Sequence, residues 1–286
     1  MSLTKYGTTL LIVAALLALT QPTTAAAGPP RCAPAANVFG VESDGRLFVY
    51  PHNEPETGGA DWGAKRYIGT GWNAGLVLAG PGGVFYLVAG GDLRRYQWTG
   101  GGWSTFAGGG QFQTVSTGWA YYTQPGNTGK VTVDPAGKVY SITSAGNLEV
   151  REWTTSSPTT TPAAQAAEAP PTWARFDRIV AAGDGVVYAR ESSSGKLFRF
   201  RYDFATGTWL EFDKLVGAGW GVFTTVFSVG GDTLYGVRPN GALVAYHYDA
   251  AASAWSNRGT GQVIGWGWSA LAHVTADPAA CTPTGR

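Results

Sequence analysis

Tryptophan closes one short glycine phrase four times: "IGTGW" ends at Trp72, "VSTGW" at Trp119, "VGAGW" at Trp220 and "IGWGW" at Trp268. An indole beside glycines has a definite chemistry. Glycine lets main-chain N–H and C=O groups approach a ligand closely, and a broad aromatic face covers flat apolar surface. A pyranose ring suits both, having an apolar C–H face and a hydroxyl rim. The candidate binding set is therefore Gly69, Gly71 and Trp72; Gly118 and Trp119; Gly217, Gly219 and Trp220; and Gly265, Gly267 and Trp268. The competing reading is that each indole wedges into a neighbouring element as core. The sequence leaves both open, because one side chain can pack and line a cleft at once.

Other chemistries find little support. A formal net charge of +1 without a basic run supplies no attraction for nucleic acid or an anionic membrane surface. His52, His247 and His273 are scattered, so neither a metal nor another cofactor is expected. "GNTGKVT" lacks the earlier Gly and the Ser/Thr after Lys that a phosphate loop needs, and no G-x-S-x-G is present. Asp134 and Asp277 each follow a strand as turn residues, too little for the paired carboxylates of a glycosidase. The expectation is a binding protein and not an enzyme.

The elements that must position the Trp loops come from a repeat. Loop tryptophans step by 47, 101 and 48 residues, so one loop is missing from the middle interval. A second mark, a hydrophobic–aromatic pair followed by Gly-x-Leu, appears five times, with leucines at Leu47, Leu93, Leu148, Leu197 and Leu243. A closing tryptophan follows at Trp62, Trp103, Trp173, Trp209 and Trp255. Each unit parses as four short strands between glycine turns. Four strands in ~46 residues is the size of a propeller blade, whose two faces need neighbours to cover them. The expected fold is all-β, a five-bladed β-propeller of four-stranded blades.

"ALAHVTADPAAC" at the C-terminal end, joined to "CAPAANVFGVESDGRL" near the N-terminus, reproduces the order of "VFTTVFSVGGDTLYGVRPNGAL". The N- and C-terminal strands should therefore share one blade and close the ring. Residues 37–281 form the propeller, with 28–36 as an N-terminal segment and 282–286 as a C-terminal tail. Residues 154–171, Thr-, Pro- and Ala-rich, are a low-complexity insertion that accounts for the long third unit.

Lys5, the apolar run Thr8 to Leu19 and the small residues around Ala25 and Ala27 read as a secretory signal peptide over 1–27. No second run is long enough to span a bilayer. A secreted, extracellular chain meets oxidising conditions, so Cys32 and Cys281 are expected to pair, two unpaired thiols being the alternative. That disulfide would close a loop of ~250 residues and stabilise by ~4–5 kcal/mol on the chain-entropy account.

Five units of this kind, each with a Trp strand and most with an I/V-G-x-G-W loop, resemble the tachylectin family over Asn37 to Cys281. The resemblance implies a five-bladed lectin without metal, binding glycans that bear N-acetylglucosamine or N-acetylgalactosamine in clefts between blades. It also implies an Asp-Asn-Trp segment ahead of the glycine loop. Asp61 and Trp62 keep part of it, the Asn is absent, and the other units replace the Asp. Asp61, Trp62, Gly71 and Trp72 are expected to gather into one site, unit three to lack one, and the protein to be a monomer. A propeller that docks protein partners without sugar affinity, or a glycoside hydrolase, are the alternative functions.

Overall fold

The computed structural model describes residues 30–153, 158–159 and 173–283. The signal peptide over 1–27, nearly all of the 154–171 insertion and the last three residues of the tail lie outside the described residues. The described chain is all-β, with short 3-10 turns between strands and no α-helix.

The strands form four four-stranded sheets and one seven-stranded sheet, in a β-propeller arrangement. Sheet I runs His273–Ala276, Ala36–Val41, Leu47–His52, Arg66–Gly69, and sheet II runs Leu76–Ala79, Val84–Ala89, Asp92–Gln97, Gln113–Thr117. Sheet III contains Val131–Val133, Val139–Ile142, Leu148–Trp153 and Pro158–Thr159. Sheet IV contains Phe176–Gly183, Val186–Glu191, Leu197–Asp203 and Thr208–Gly217. Sheet V is built on Thr225–Gly230, Thr233–Val237 and Leu243–Asp249, the last pairing with both Ala254–Trp255 and Gln262–Gly265. The first strand of each sheet touches the first strand of the sheets on either side, including V against I.

Burial explains the residue choice along each sheet. Second strands are buried at most positions, and "TLYGV" at all of them, because both faces are covered by neighbouring sheets. The third strands of sheets II and III begin by alternating, as in "DLRRYQ", whereas those of sheets I and V start with three buried residues. The Gly-x-Leu glycines Gly45, Gly91, Gly146, Gly195 and Gly241 all take positive φ between second and third strands, where a side chain would be strained. Five apolar clusters lie in the interfaces between successive sheets.

His273–Ala276, from the C-terminal end, pairs antiparallel with Ala36–Val41 from the N-terminal end. Cys32 and Cys281 form a disulfide across a sequence separation of 249 residues. The short strands carrying them pair with each other, and Cys281 also pairs with Gly230, so this pair of strands extends sheet V. A Cβ at Gly230 would meet the Cys281 and Pro278 carbonyl oxygens at 2.3 Å, which requires glycine there.

Candidate functional site

Each loop tryptophan is held from two directions. Its N–H donates to the Gly-x-Leu glycine carbonyl of the sheet it leaves: Trp72 to Gly45 at 3.1 Å, Trp119 to Gly91 at 2.8 Å, Trp220 to Gly195 at 2.9 Å and Trp268 to Gly241 at 3.1 Å. Its ring packs against the closing tryptophan of the next sheet. Ring centroids are 4.9 Å apart for Trp72 and Trp103, 5.2 Å for Trp220 and Trp255, and 5.1 Å for Trp268 and Trp62. The closing indoles then donate to the carbonyl that opens the glycine phrase, Trp103 to Ile68, Trp255 to Val216 and Trp62 to Ile264, each at 2.6 Å.

This packing accounts for the glycines. A Cβ at Gly69, Gly217 or Gly265 would meet the loop indole Nε1 at 2.9, 2.5 and 2.7 Å, so these positions must stay bare. Gly71, Gly118, Gly219 and Gly267 adopt positive φ and are exposed, with open space where a side chain would project. They form the outward lip of each loop.

The four loop indoles themselves are sheltered: Trp72 is 4% exposed, Trp119 2%, Trp220 4% and Trp268 6%. They are packed floors beneath the lips and not open platforms. Two of the loops border measurable hollows. One, of about 260 Å³, lies between sheets IV and V and is lined by Gly217, Gly219, Trp220, Arg238, Tyr246 and Trp255, among others. A larger one, of about 570 Å³, lies between sheets V and I, over Trp62, Gly265, Trp266, Gly267 and Trp268.

The expected grouping of Asp61, Trp62, Gly71 and Trp72 does not form. Trp62 reaches back to the loop arriving from sheet V, whereas Trp72 packs on Trp103 of sheet II. A closing indole serves the loop before its own sheet, so Trp62 and Trp72 lie in different interfaces. Asp61 is exposed, hydrogen-bonded to Asn53, and does not line the large cleft.

Trp173 also differs from its expected place. It opens a 3-10 turn leading into the first strand of sheet IV, is 5% exposed, and packs 6.2 Å from Trp209. It therefore occupies the loop position between sheets III and IV, and Trp153, 5.7 Å from Trp119, closes unit three. The absent features are the glycines, since residues 169–172 read "APPT". Trp209 Nε1 has no hydrogen-bond partner among the described residues. For Trp62, Trp103 and Trp255 the partner carbonyl stands four residues before the loop Trp; the corresponding position here, residue 169, is outside the described set.

Beneath the large cleft lies a buried polar contact. His52, 0% exposed, stacks on Trp62 with centroids 4.6 Å apart. Its Nε2 donates to the Gly59 carbonyl at 2.7 Å, and its Nδ1 lies 2.7 Å from the Tyr235 hydroxyl, from which it accepts when the ring is neutral. Burial pushes its pKa below the ordinary value.

A third hollow, of about 260 Å³, runs between the inner strands and is lined by no Asp or Glu among the described residues. Asp134 instead accepts from the Ala136 and Lys138 amides and the Tyr140 hydroxyl, and Asp277 from the Ala279 amide. Both are turn-holding carboxylates, as expected from sequence. Among the described residues no His, Cys, Asp or Glu cluster is arranged to hold a metal.

A family model described as Tachylectin matches residues 40–273. The chain belongs to the tachylectin family. It is thus a carbohydrate-binding propeller. No curated protein matches it. Among solved structures, a symmetrical protein described in terms of de novo evolutionary emergence and folding constraints is similar, at 21% identity and a TM-score of 0.53. That likeness covers 84% of this chain and 97% of the other, and concerns the fold. SapL1 lectin, solved in complex with α-methyl fucoside, is 17% identical with a TM-score of 0.40, covering 81% and 82% of the two chains.

Two features of this tachylectin-family chain escaped the sequence reading. A third aromatic ring completes the floor at Tyr50, Tyr96, Phe200 and Tyr246, each three residues after a Gly-x-Leu leucine. That fixed offset was the available signal; the remaining unit has Arg151 there. The other is Trp266, 67% exposed, at the variable position of the I/V-G-x-G-W phrase.

Proposed function

We propose that this protein is a secreted, multivalent lectin for N-acetylated hexosamines such as N-acetylglucosamine, acting as a monomeric, non-catalytic five-bladed ring closed by its two chain ends. The observation that carries the reading is the recurring indole pair beneath a bare, exposed glycine lip, which borders a hollow between sheets IV and V and another between sheets V and I. A lip whose backbone is already held by hydrogen bonds and ring contacts takes up a hydroxylated ligand at low ordering cost. The pairing of the terminal strands and the five sheets support the closed ring. The disulfide supports export, and no described helix is long and apolar enough to cross a membrane.

One monosaccharide per cleft should bind with a dissociation constant on the order of 0.1–1 mM. Several clefts on one rigid body should raise retention on a glycan surface by ~10²–10⁴. The test is retention on chitin beads with elution by free N-acetylglucosamine, alongside a glycan array. Retention that free sugar does not reverse, with no array signal, would refute the reading.

A second reading, docking of a protein partner, draws on the outer strand of sheet IV. There Leu210, Phe212 and Leu215 are exposed on one edge.

A further inference from the structure

The cleft between sheets V and I is not a copy of the others. The variable position of the glycine phrase holds Thr70, Thr117 and Ala218 in three loops, and Trp266 in the fourth. Trp266 is 67% exposed, against 6% for its neighbour Trp268, although both line the same hollow. Its backbone is pinned on each side. Gly265 lies beneath the Trp268 and Trp62 indoles, and Gly267 is held at φ 87°. One more aromatic face in the core would be ordinary; an exposed one presented by a fixed loop into a hollow is a ready stacking surface.

Volume supports the same reading. The hollow measures about 570 Å³, against about 260 Å³ between sheets IV and V, where Ala218 stands in place of Trp266. The larger value falls within the ~300–1,000 Å³ typical of pockets for ligands of several rings, and the smaller falls below it. The rim is polar and electrically balanced. Glu42 pairs with Arg46 at 2.6 Å and with Lys65 at 2.7 Å, and Asp44 pairs with Arg46 at 2.7 Å. Two cations face two carboxylates, so hydroxyl groups meet donors and acceptors while an anionic ligand meets no surplus charge.

We propose that Trp266 adds a second sugar subsite to this cleft, making it selective for neutral oligosaccharides over single sugars. The inference rests on the lectin reading above. One ring lies at the glycine lip over the Trp62 and Trp268 floor, and the adjoining ring stacks on the Trp266 face.

Calorimetric titration of the whole protein with N-acetylglucosamine and with its β-1,4-linked trimer tests this. Wild type should show a site holding the trimer about tenfold more tightly than the monomer. Trp266→Ala should abolish that preference and leave monomer binding within about twofold, while Trp266→Tyr restores most of it. Raising NaCl should leave trimer binding unchanged, as a neutral ligand requires. A trimer preference that survives in Trp266→Ala, loss of monomer binding in that variant, a salt-sensitive trimer site, or no preference in wild type would each overturn the second subsite and leave the lectin reading standing. Wild type that binds neither sugar and no neutral glycan on an array would overturn both.

Discussion

Trp62 Nε1 donates to the carbonyl oxygen of Ile264 at 2.6 Å, across 202 residues of sequence and from sheet I to sheet V. The bond fixes the last glycine loop against the first unit of the chain, so the cleft between sheets V and I depends on both ends of the propeller. Trp62→Phe keeps an aromatic surface but removes the donor, leaving a carbonyl of the fully buried Ile264 unpaired. An unsatisfied buried group of this kind costs ~1–3 kcal/mol. At ~2–4 °C per kcal/mol for a chain of this size, Tm should fall by roughly 2–12 °C. Calorimetry showing no change in Tm would mean that the bond holds nothing together.

The loop tryptophans and Trp266 should separate cleanly by stability. Trp72 is buried among Phe85, Tyr96 and Trp103, so Trp72→Ala opens a cavity and should cost ~3–5 kcal/mol. Trp266→Ala removes an exposed ring and should change stability by no more than ~0.5 kcal/mol. Urea titration of the two variants measures the difference. Equal midpoints would contradict the division into floor and platform.

Much of this division was hidden from sequence, for a physical reason. The Gly-x-Leu and G-W marks recur because each meets a local demand, a positive-φ turn or a loop packed on an indole, and so they exposed the unit and the all-β propeller arrangement. They do not say which unit's loop meets which unit's strand. Trp62 and Trp72 are ten residues apart yet serve different interfaces, because a closing strand faces the previous sheet. Trp173 was misplaced because the residues before it carry no glycines, and its partner Trp209 reveals its role only in space. Trp266 was overlooked for the opposite reason. It breaks the repeat, and a search for repetition passes over the one position where a loop departs from its copies.

The disulfide makes its own prediction. Linking Cys32 to Cys281 closes a loop with a sequence separation of 249 residues, and Cys281 pairs in turn with Gly230 of sheet V. Chain-entropy arguments assign ~5 kcal/mol to a loop of this length. Replacing both cysteines with serine should therefore lower Tm by roughly 10–20 °C at the same sensitivity. Non-reducing and reducing calorimetry of wild type should show the same gap. Coincident transitions would mean that strand pairing alone holds the ends.

Acid should loosen the protein before it reaches the carboxylate range. Burial lowers the pKa of His52, His247 and His273 below the ordinary value of 6.5. For His52, Gly59, Glu54 and Asp61 pull the other way, but burial is the larger effect. A base whose folded pKa lies below its unfolded one binds fewer protons when folded, so stability rises with pH and is lost as pH falls below about 6.5. Asp134 and Asp277 have the opposite sign, since burial raises both above 3.8, and they act in a lower window. Chemical denaturation at about pH 7.5 and about pH 5.5 should show the lower stability at the acid point. His52→Gln, whose amide can donate toward Gly59 and accept from Tyr235, should flatten part of that slope. Because His52 stacks on Trp62, charging it also disturbs the floor of the V–I cleft, and sugar affinity there should fall over the same pH range. Equal stability at the two pH values, or an unchanged slope in His52→Gln, would show that the buried imidazole does not set the acid response.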